Sequence, residues 1–288
     1  MGSPAARLTD IHACPTLAPV PHVGGPLLMP GMPSVLVGAL PASRLADYSA
    51  CLGAVDVTAT GAAMVLIGGL PAARVADETA HRGVVVGPGA TMVLIGGPTF
   101  ALPPNVTVEG PPDFQNKVIR DLYFLSTTPS GQELFRRLDA SGRPVKIVPE
   151  SDPQNSFCTA NDATAASDGT GTGSTVSYNP DARVNAYDRN GNPIAEPSQV
   201  LLGHEMAHAL ANAEGRRQTG TDPAPPASQP DIGREEAQAI GTGSHNGAYP
   251  SENSFRRDLG LPERDNHYWT PDGPDAALPP TSLRPGGY

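Results

Sequence analysis

The first hundred residues of this chain repeat themselves at a spacing of roughly 30 residues, a length typical of stacked supersecondary units. One seven-residue segment has arginine at its fourth position and aspartate at its seventh, and it occurs at 4–10, 41–47 and 71–77. A short apolar run accompanies the copies, at 34–38, 64–68 and 92–96. A unit of this size cannot bury its apolar face alone, so the sequence predicts repeats that stack on one another.

The apolar runs predict strands rather than helices. Each is short, aliphatic or β-branched, and bounded by glycine or proline, which is typical of a buried strand. No stretch before Pro98 shows helical periodicity, and the chain has 32 glycines and 33 prolines against only 5% aromatic residues. That composition argues against a single aromatic-rich core. We therefore expect this part to be all-β, with short strands and many turns.

The tetrapeptide that opens each repeat identifies a family. It reads Pro-Ala-Ala-Arg at 4–7 and 71–74, and Pro-Ala-Ser-Arg at 41–44. In this it resembles the PAAR-repeat proteins that cap the spike of type VI secretion systems, over residues 1–97. The resemblance implies a small all-β cone that sits on a trimeric VgrG spike and has its point held together by one zinc ion.

The residues around the repeats offer ligands for that structural zinc. Counting four residues past each repeat aspartate gives Cys14, Cys51 and His81, and His12 and His22 lie nearby. Imidazole and thiolate are the ligands that a structural zinc prefers. The family uses three histidines and one cysteine, so the resemblance implies His12, His22, Cys51 and His81, with Cys14 as the alternative thiolate.

A second domain follows the repeats. Residues 98–112 are proline-rich and predict a linker or an extended strand. From there, 113–288 predicts an α+β domain. We expect helices over 114–127 and 132–138, strands over 144–148 and 174–178, and a loop over 162–175.

The sequence His-Glu-x-x-His indicates a metal site in this second domain. Residues 198–210 predict a helix with Ser198 as its N-cap. On such a helix His204 and His208 lie one turn apart on the same face, so both imidazoles can bind one metal ion. Glu205 lies beside them, where it is placed to act as a general base rather than as a ligand.

The third ligand must come from elsewhere in the chain. No histidine occurs between His208 and His245, so the metzincin pattern is absent. A glutamate from a second helix is the usual substitute, and residues 233–241 contain Glu235 and Glu236 in a helix-compatible run.

The order of motifs after His208 resembles a family of secreted peptidases. Glu-Glu-x-x-Ala-Ile-Gly, Ser-Glu-Asn-Ser-Phe-Arg and Leu-Gly-Leu-Pro-Glu-Arg follow the histidines in turn. Over roughly 105–270 this resembles the NleD-like metalloprotease effectors and the protease extension of some VgrG proteins. The resemblance implies a zincin-like, gluzincin-type endopeptidase, with the third ligand at Glu236; Glu235 and Glu252 remain alternatives.

For several other polar residues, the sequence does not assign a single role. A donor to the oxyanion of the reaction could be His245, Tyr249, His267 or Tyr268, and spacing does not choose among them. Arg256 and Arg264 are expected to hold the C-terminal segment by ion pairs.

The net charge, the number of cysteines and the N-terminal sequence restrict the partners and the export route that we expect. A net charge of −10 argues against nucleic acid or an anionic membrane as the main partner. Three cysteines are too few for a disulfide framework. The N-terminus lacks a signal-peptide pattern, and the apolar stretches are too short to span a bilayer. We expect a protein made in the bacterial cytoplasm and exported without a signal peptide by the type VI machine.

These predictions combine into one hypothesis. The chain would cap a VgrG trimer and deliver a zinc endopeptidase that cleaves a protein of the target cell, using one catalytic and one structural zinc ion. An immunity protein is expected if the target is a sibling bacterium. The alternative is a structural spike cap whose C-terminal zinc-binding domain is inactive or is not a peptidase.

Overall fold

The structure, a computed structural model, describes residues 2–17, 21–152, 155–268 and 270–271. These residues form two compact units: one lies within 1–102 and 110–120, the other within 103–109 and 121–288. The first unit is rich in strands and the second contains helices and strands. This confirms the predicted multidomain fold class, while the exact boundaries at 97 and 112 stay a prediction.

The first unit is built from short strands. They are β1 (Ser3–Ala5), β2 (Ile11–Ala13), β3 (Val23–Leu27), β4 (Met32–Val37), β5 (Leu40–Ala42), β6 (Tyr48–Leu52), β7 (Asp56–Val57), β8 (Gly61–Ile67), β9 (Leu70–Ala72), β10 (Val84–Gly87), β11 (Ala90–Ile95) and β12 (Thr99–Phe100). Strands β4 and β5 form an antiparallel hairpin, as do β8 and β9. Strand β11 pairs with β1 in the same manner, so the first repeat completes the third hairpin.

A ring of backbone hydrogen bonds joins the three repeats. The N–H of Ala6 donates to the carbonyl of Ala73 at 2.9 Å. The N–H of Ala73 donates to Ser43, and that of Ser43 donates to Ala6, each at 3.0 Å. All three residues are buried. Because the three backbones approach so closely, the third repeat position accepts only a small side chain, which explains why it is alanine or serine.

The arginine and aspartate of each repeat close a tight turn. The aspartate accepts a hydrogen bond from the arginine backbone N–H and ion-pairs with its guanidinium: Arg7 with Asp10, Arg44 with Asp47, and Arg74 with Asp77. The residue before each aspartate has a positive φ, at Thr9, Ala46 and Ala76. The ion pair therefore holds a backbone conformation that these residues adopt at a cost.

The apolar runs are strands, but the prediction that they are buried is wrong. Their central residues are exposed on consecutive positions: Val35, Leu36, Met64, Val65, Leu66, Met92, Val93 and Leu94. Val37, Ile67 and Ile95, near the end of each run, join a core cluster with the alanines of the repeats and with Ala62 and Ala90. Each hairpin is thus open to solvent on both faces near its middle.

The second unit combines a sheet with helices. Its strands are β13 (Val106–Val108), β14 (Val145–Pro149), β15 (Phe157–Ala160), β16 (Ser174–Tyr178), β17 (Val184–Tyr187), β18 (Pro193–Ala195) and β19 (Thr270–Pro271), and its main helices are α2 (Pro129–Ser141), α3 (Ser198–Ala213), α4 (Arg234–Ile240) and α5 (Glu252–Asp258). Helix α1 spans Pro112–Ser126, of which the residues up to 120 group with the first unit, and a short 3₁₀ turn spans Gly243–His245. The main sheet has the order β13-β14-β16-β15, with β15 antiparallel to β16 and the other pairs parallel.

Helix α3 is fixed at its start by a polar anchor. The hydroxyl of Tyr178 donates to Asp121 at 2.7 Å, and the hydroxyl of Ser198 donates to the same carboxylate at 2.8 Å. Ser198 is the first residue of the helix, and Pro197 occupies the N-cap. The prediction of Ser198 as N-cap is therefore wrong, because its side chain bonds the anchor instead of the helix backbone.

The segment between the two parts and the lengths of the helices also relate to predictions made from the sequence. The segment 98–112, predicted as a linker or extended strand, contains both β12 and β13. Within the described residues, no helix is long and apolar enough to cross a membrane.

Candidate active site and metal centres

Helix α3 brings both histidines of the motif to one point. The Nε2 atoms of His204 and His208 lie 3.2 Å apart. The helix can approach α5 closely because residue 203 is glycine, where an added Cβ would lie 2.7 Å from the ring of Phe255. Burial of the surrounding helix leaves the imidazoles little freedom, with 3% of the His204 side chain and 13% of the His208 side chain exposed.

Helix α4 brings Glu236 to the same point. Its Oε2 atom lies 3.3 Å from Nε2 of His204 and 3.3 Å from Nε2 of His208. A tetrahedral zinc ion with ordinary bond lengths spaces its nitrogen and oxygen ligands about 3.3 Å apart. The donor types and the three spacings therefore fit a zinc ion bound by these residues.

The alternative glutamates lie elsewhere. Glu235 forms an ion pair with Arg217. Glu252 is fully buried and accepts a hydrogen bond from Nδ1 of His204 at 2.9 Å, on the opposite side of the ring from Glu236. Of the three glutamates considered from the sequence, Glu236 is the one that the structure brings to Nε2 of both histidines.

A buried ionic network supports Glu252. Arg264 lies 3.0 Å from its Oε2 atom and Arg256 lies 2.8 Å from its Oε1 atom. Arg256 also pairs with Glu196, which is buried as well. Ion pairs of the two arginines were expected from the sequence, whereas Glu196 and the contact of Glu252 to His204 were not. The Ser-Glu-Asn-Ser-Phe-Arg motif was the available signal, since it places Glu252 and Arg256 one helical turn apart.

One further histidine reaches the cluster. Nε2 of His267 lies 3.2 Å from Oε2 of Glu236, and its ring stacks on His204 with centroids 5.9 Å apart. From the sequence, His267 was only one of four possible oxyanion donors. Tyr249, another of the four, has an exposed side chain, and its carbonyl accepts a hydrogen bond from Arg137.

Burial and neighbouring charges shift the pKa values of this cluster. Burial disfavours a charged His204, but hydrogen bonds to Glu236 and Glu252 outweigh it and raise the pKa of His204 to about 10. Burial would raise the pKa of Glu236, but the two histidines lower it well below its usual range. Burial raises the pKa of Glu205 and lowers the pKa of His267 to about 4. The shifts of His204 and Glu236 thus express the mutual attraction of an imidazolium and a carboxylate.

A cavity of about 70 Å³ opens beside the cluster. Its lining residues include Ser156, Ala186, Leu201, His204, Glu205 and His267. Glu205 therefore faces the same space as one candidate ligand and as His267, which is the location that a general base requires.

The first unit contains a second cluster of metal-binding side chains. Ligand atoms of Cys14, His22, Cys51 and His81 all lie within 4.8 Å of one another. Sγ of Cys14 lies 3.7 Å from Nδ1 of His22, close to the separation of about 3.6 Å between sulfur and nitrogen ligands of a tetrahedral zinc. Burial, helped by the neighbouring Cys14 thiol, raises the pKa of Cys51 to about 12. Thiols in such a position ionise readily only beside a cation.

The structure does not bring His12 into this cluster, although it was expected there. Its Nδ1 atom lies 3.0 Å from the carbonyl of Gly25, and its Nε2 atom lies 3.4 Å from the carboxylate of Asp56. Asp56 also accepts the backbone N–H of His81 at 3.0 Å. His12 thus supports the loop that carries His81, and Cys14 stands in the position assigned to it. Asp56 was missed because its partners are distant in sequence.

Two family descriptions match the chain. Residues 103–268 match the Peptidase_M91 family, described as effector proteins, and residues 17–87 match the PAAR motif. The resemblance predicted from the sequence is therefore confirmed for both parts. The first match also supports the prediction of a metallopeptidase. No curated protein sequence matches the chain.

Solved structures with some similarity include clostridial toxins. The Clostridium botulinum neurotoxin serotype F light chain is 14% identical with a TM-score of 0.36, covering 44% of this chain and 43% of that one. The botulinum neurotoxin serotype HA light chain is 16% identical with a TM-score of 0.39, covering 51% and 48%. This chain spans less than half of the length of those light chains, and scores of this size do not establish a common fold.

Proposed function

The chain belongs to the Peptidase_M91 family of effector proteins, and from this we propose that it is a zinc metalloendopeptidase delivered on a type VI secretion spike. The observation that carries the proposal is the convergence of His204, His208 and Glu236, whose ligand atoms lie 3.2 to 3.3 Å apart. That spacing and that donor set are those of a catalytic zinc site with three protein ligands.

The roles of the residues follow from where they lie. His204, His208 and Glu236 hold the zinc ion, and Glu252 fixes the ring of His204 through its Nδ1 atom. When bound, zinc lowers the pKa of water towards neutrality and polarises the carbonyl of the scissile peptide bond. Glu205 accepts a proton from the attacking water and later passes it to the leaving amine. In this proposal the substrate backbone approaches the metal from the side of the cavity that Glu205 lines.

The first unit serves as the spike tip in this proposal. Cys14, His22, Cys51 and His81 hold a structural zinc with four protein ligands, so the site is closed to solvent ligands. The exposed apolar rows of the three hairpins form the docking surface for a VgrG trimer, since an exposed apolar patch of this kind marks an interaction site. Their threefold repetition suits a threefold partner.

The proposal also includes the route by which the protein is delivered and the kind of molecule that it cleaves. The protein leaves the bacterial cytoplasm through the type VI machine, cleaves a protein of the recipient cell, and is opposed by an immunity protein where that cell is a sibling.

The experiment that tests the peptidase compares the full chain with Glu205→Gln on lysate from recipient cells. New protein N-termini identified by mass spectrometry are expected with the wild type and are expected to be absent with Glu205→Gln, which keeps its zinc. Equal sets of new N-termini for the two proteins would contradict the proposal and favour a spike cap without peptidase activity.

A further inference from the structure

We infer that Asp56 is a positioning residue for the structural zinc of the first unit: it does not bind the metal, but it holds the turn and the imidazole of the ligand His81. The inference rests on the proposed function, because the zinc ion belongs to that proposal. Asp56 lies outside the three repeat copies at 4–10, 41–47 and 71–77, and it is not one of the four clustered ligands.

Both oxygens of the Asp56 carboxylate accept hydrogen bonds in the protein interior. None of its side chain is exposed to solvent. Oδ1 accepts the backbone N–H of Val57 at 2.8 Å and the backbone N–H of His81 at 3.0 Å. Oδ2 accepts the hydroxyl of Thr79 at 2.5 Å. That hydroxyl accepts the N–H of Gly83 at 3.1 Å, so its own proton is directed at Asp56. Because a buried carboxylate depends on its donors, these bonds fix where Asp56 and its partners lie.

Two of these donors lie on the turn that carries His81. The N–H of Thr79 donates to the carbonyl of Gly83 at 2.9 Å, and the N–H of Arg82 donates to the carbonyl of Thr79 at 2.9 Å. Arg82 has a φ of 60°, a conformation that a residue other than glycine adopts at a cost. Asp56 therefore holds a tight turn at its first residue and at the ligand itself.

The ring of His81 has one nitrogen on the side of Asp56. Its Nδ1 atom is buried, lies 3.7 Å from Oδ2 of Asp56, and has no hydrogen-bond partner among the described residues. A ring shift of about 0.7 Å would bring it within hydrogen-bond distance of that oxygen. With the proton on Nδ1, the lone pair on Nε2 is free for a metal ion. A carboxylate behind a ligating histidine fixes its tautomer and raises its basicity.

Substitution by asparagine removes this role while keeping the shape of the side chain. Asparagine replaces one carboxylate oxygen by an NH₂ group, which only donates. In one orientation this group meets the N–H groups of Val57 and His81. In the other orientation it meets the hydroxyl of Thr79 and Nδ1 of His81. Asp56→Asn therefore leaves a donor facing a donor in either orientation.

The test measures zinc binding to the first unit by competition with a chelator on the full chain. His204→Ala/His208→Ala is the parent, because the zinc that it retains belongs to the first unit. Adding Asp56→Asn is expected to weaken zinc binding by about 10- to 100-fold, as loss of a group that supports a ligand does. Asp47→Asn is the matched control, since Asp47 is another buried aspartate of this unit and pairs with Arg44 instead. It is expected to keep the zinc affinity of the parent.

Nitrogen NMR of the imidazole rings gives a readout that requires no substitution of Asp56. In the zinc-loaded parent, His81 is expected to carry its proton on Nδ1 and the metal on Nε2. The signal is assigned by its loss in His81→Ala. A role of Asp56 in packing alone would not set this tautomer.

The outcomes separate the inference from the proposed function. If the parent holds no zinc, the structural zinc of the proposed function fails. If the parent holds one zinc but His81 binds it through Nδ1, or if Asp56→Asn keeps the affinity of the parent, only the positioning role of Asp56 is overturned. That role is also overturned if Asp47→Asn weakens zinc binding as much as Asp56→Asn does, because the loss then follows from general destabilisation.

Discussion

His204 is held through both of its ring nitrogens, and the two partners have different tasks. Nε2 points at Glu236 and His208, the other two proposed zinc ligands, while Nδ1 bonds the buried carboxylate of Glu252. A carboxylate on the far side of a ligating histidine fixes the tautomer and raises the basicity of the ligand. The zinc affinity of the site should therefore depend on a residue that does not touch the metal.

We predict that Glu252→Gln weakens zinc binding by about 10- to 100-fold, as loss of such supporting groups does. Chelator competition measures the affinity. Glu235→Gln is the matched control, because Glu235 pairs with Arg217 outside the cluster. Equal affinities for wild type and Glu252→Gln would show that the contact to Nδ1 has no part in metal binding.

At the residue scale, the sequence predicted those site residues that lie close to one another in the chain. His204, Glu205 and His208 follow from helical geometry alone, and Glu236 follows from a family pattern. His12 was expected among the ligands of the structural zinc because the family resemblance implies three histidines and one cysteine, but its ring contacts Gly25 and Asp56 instead. Which histidine faces a metal depends on partners that are far apart in the chain, and spacing does not carry that information.

Among the elements, the turn in each repeat is the one whose contribution to stability follows most directly from its contacts. Arg74 and Asp77 are both nearly buried, and the pair closes a turn in which Ala76 has a positive φ. The turn thus combines an ion pair and backbone hydrogen bonds with a positive φ, which alanine adopts only at an energetic cost.

We predict that Arg74→Ala lowers the free energy of unfolding by about 3 kcal/mol, because Asp77 is then left buried without its countercharge. Chemical denaturation measures the loss. Arg136→Ala is the control, since Arg136 pairs with Glu133 at the surface, and no measurable change is expected. Similar stability for the two variants would mean that the repeat ion pairs do not hold the tip together.

The elements themselves were largely predictable. The helices α1 to α4 and the strands β14 and β16 lie where periodicity and turn residues indicated. The exposure of the apolar runs was not predictable, since a short aliphatic strand is usually covered, and only the hairpin pairing leaves residues such as Leu66 and Met92 in solvent. The parallel pairing of β13 with β14 likewise depends on contacts between residues 39 positions apart, which no local pattern encodes.

For the whole molecule, the proposed docking surface and the proposed zinc sites use different residues. Met92 is 94% exposed and Met64 is 76% exposed, each in the middle of a hairpin strand. Neither is one of the ligands proposed for the two zinc sites. A charge placed here should therefore affect docking without affecting zinc.

We predict that Met64→Glu combined with Met92→Glu strongly reduces co-purification with a VgrG trimer, because a buried unpaired carboxylate opposes an apolar interface. Leu17→Glu is the matched control, since Leu17 is 76% exposed outside the hairpins. Unchanged zinc content in all variants confirms that they fold. Wild-type co-purification of the double variant would place the docking surface elsewhere.

The central claim is that one chain carries a closed structural zinc and a separate catalytic zinc, and elemental analysis of purified protein tests it most directly. About two zinc ions per chain are predicted for the wild type, and about one is predicted both for His204→Ala/His208→Ala and for Cys14→Ser/Cys51→Ser. Such a result assigns one ion to each cluster. If His204→Ala/His208→Ala retains all the metal of the wild type, the second unit is not a zinc centre and the account of a spike-borne peptidase is contradicted.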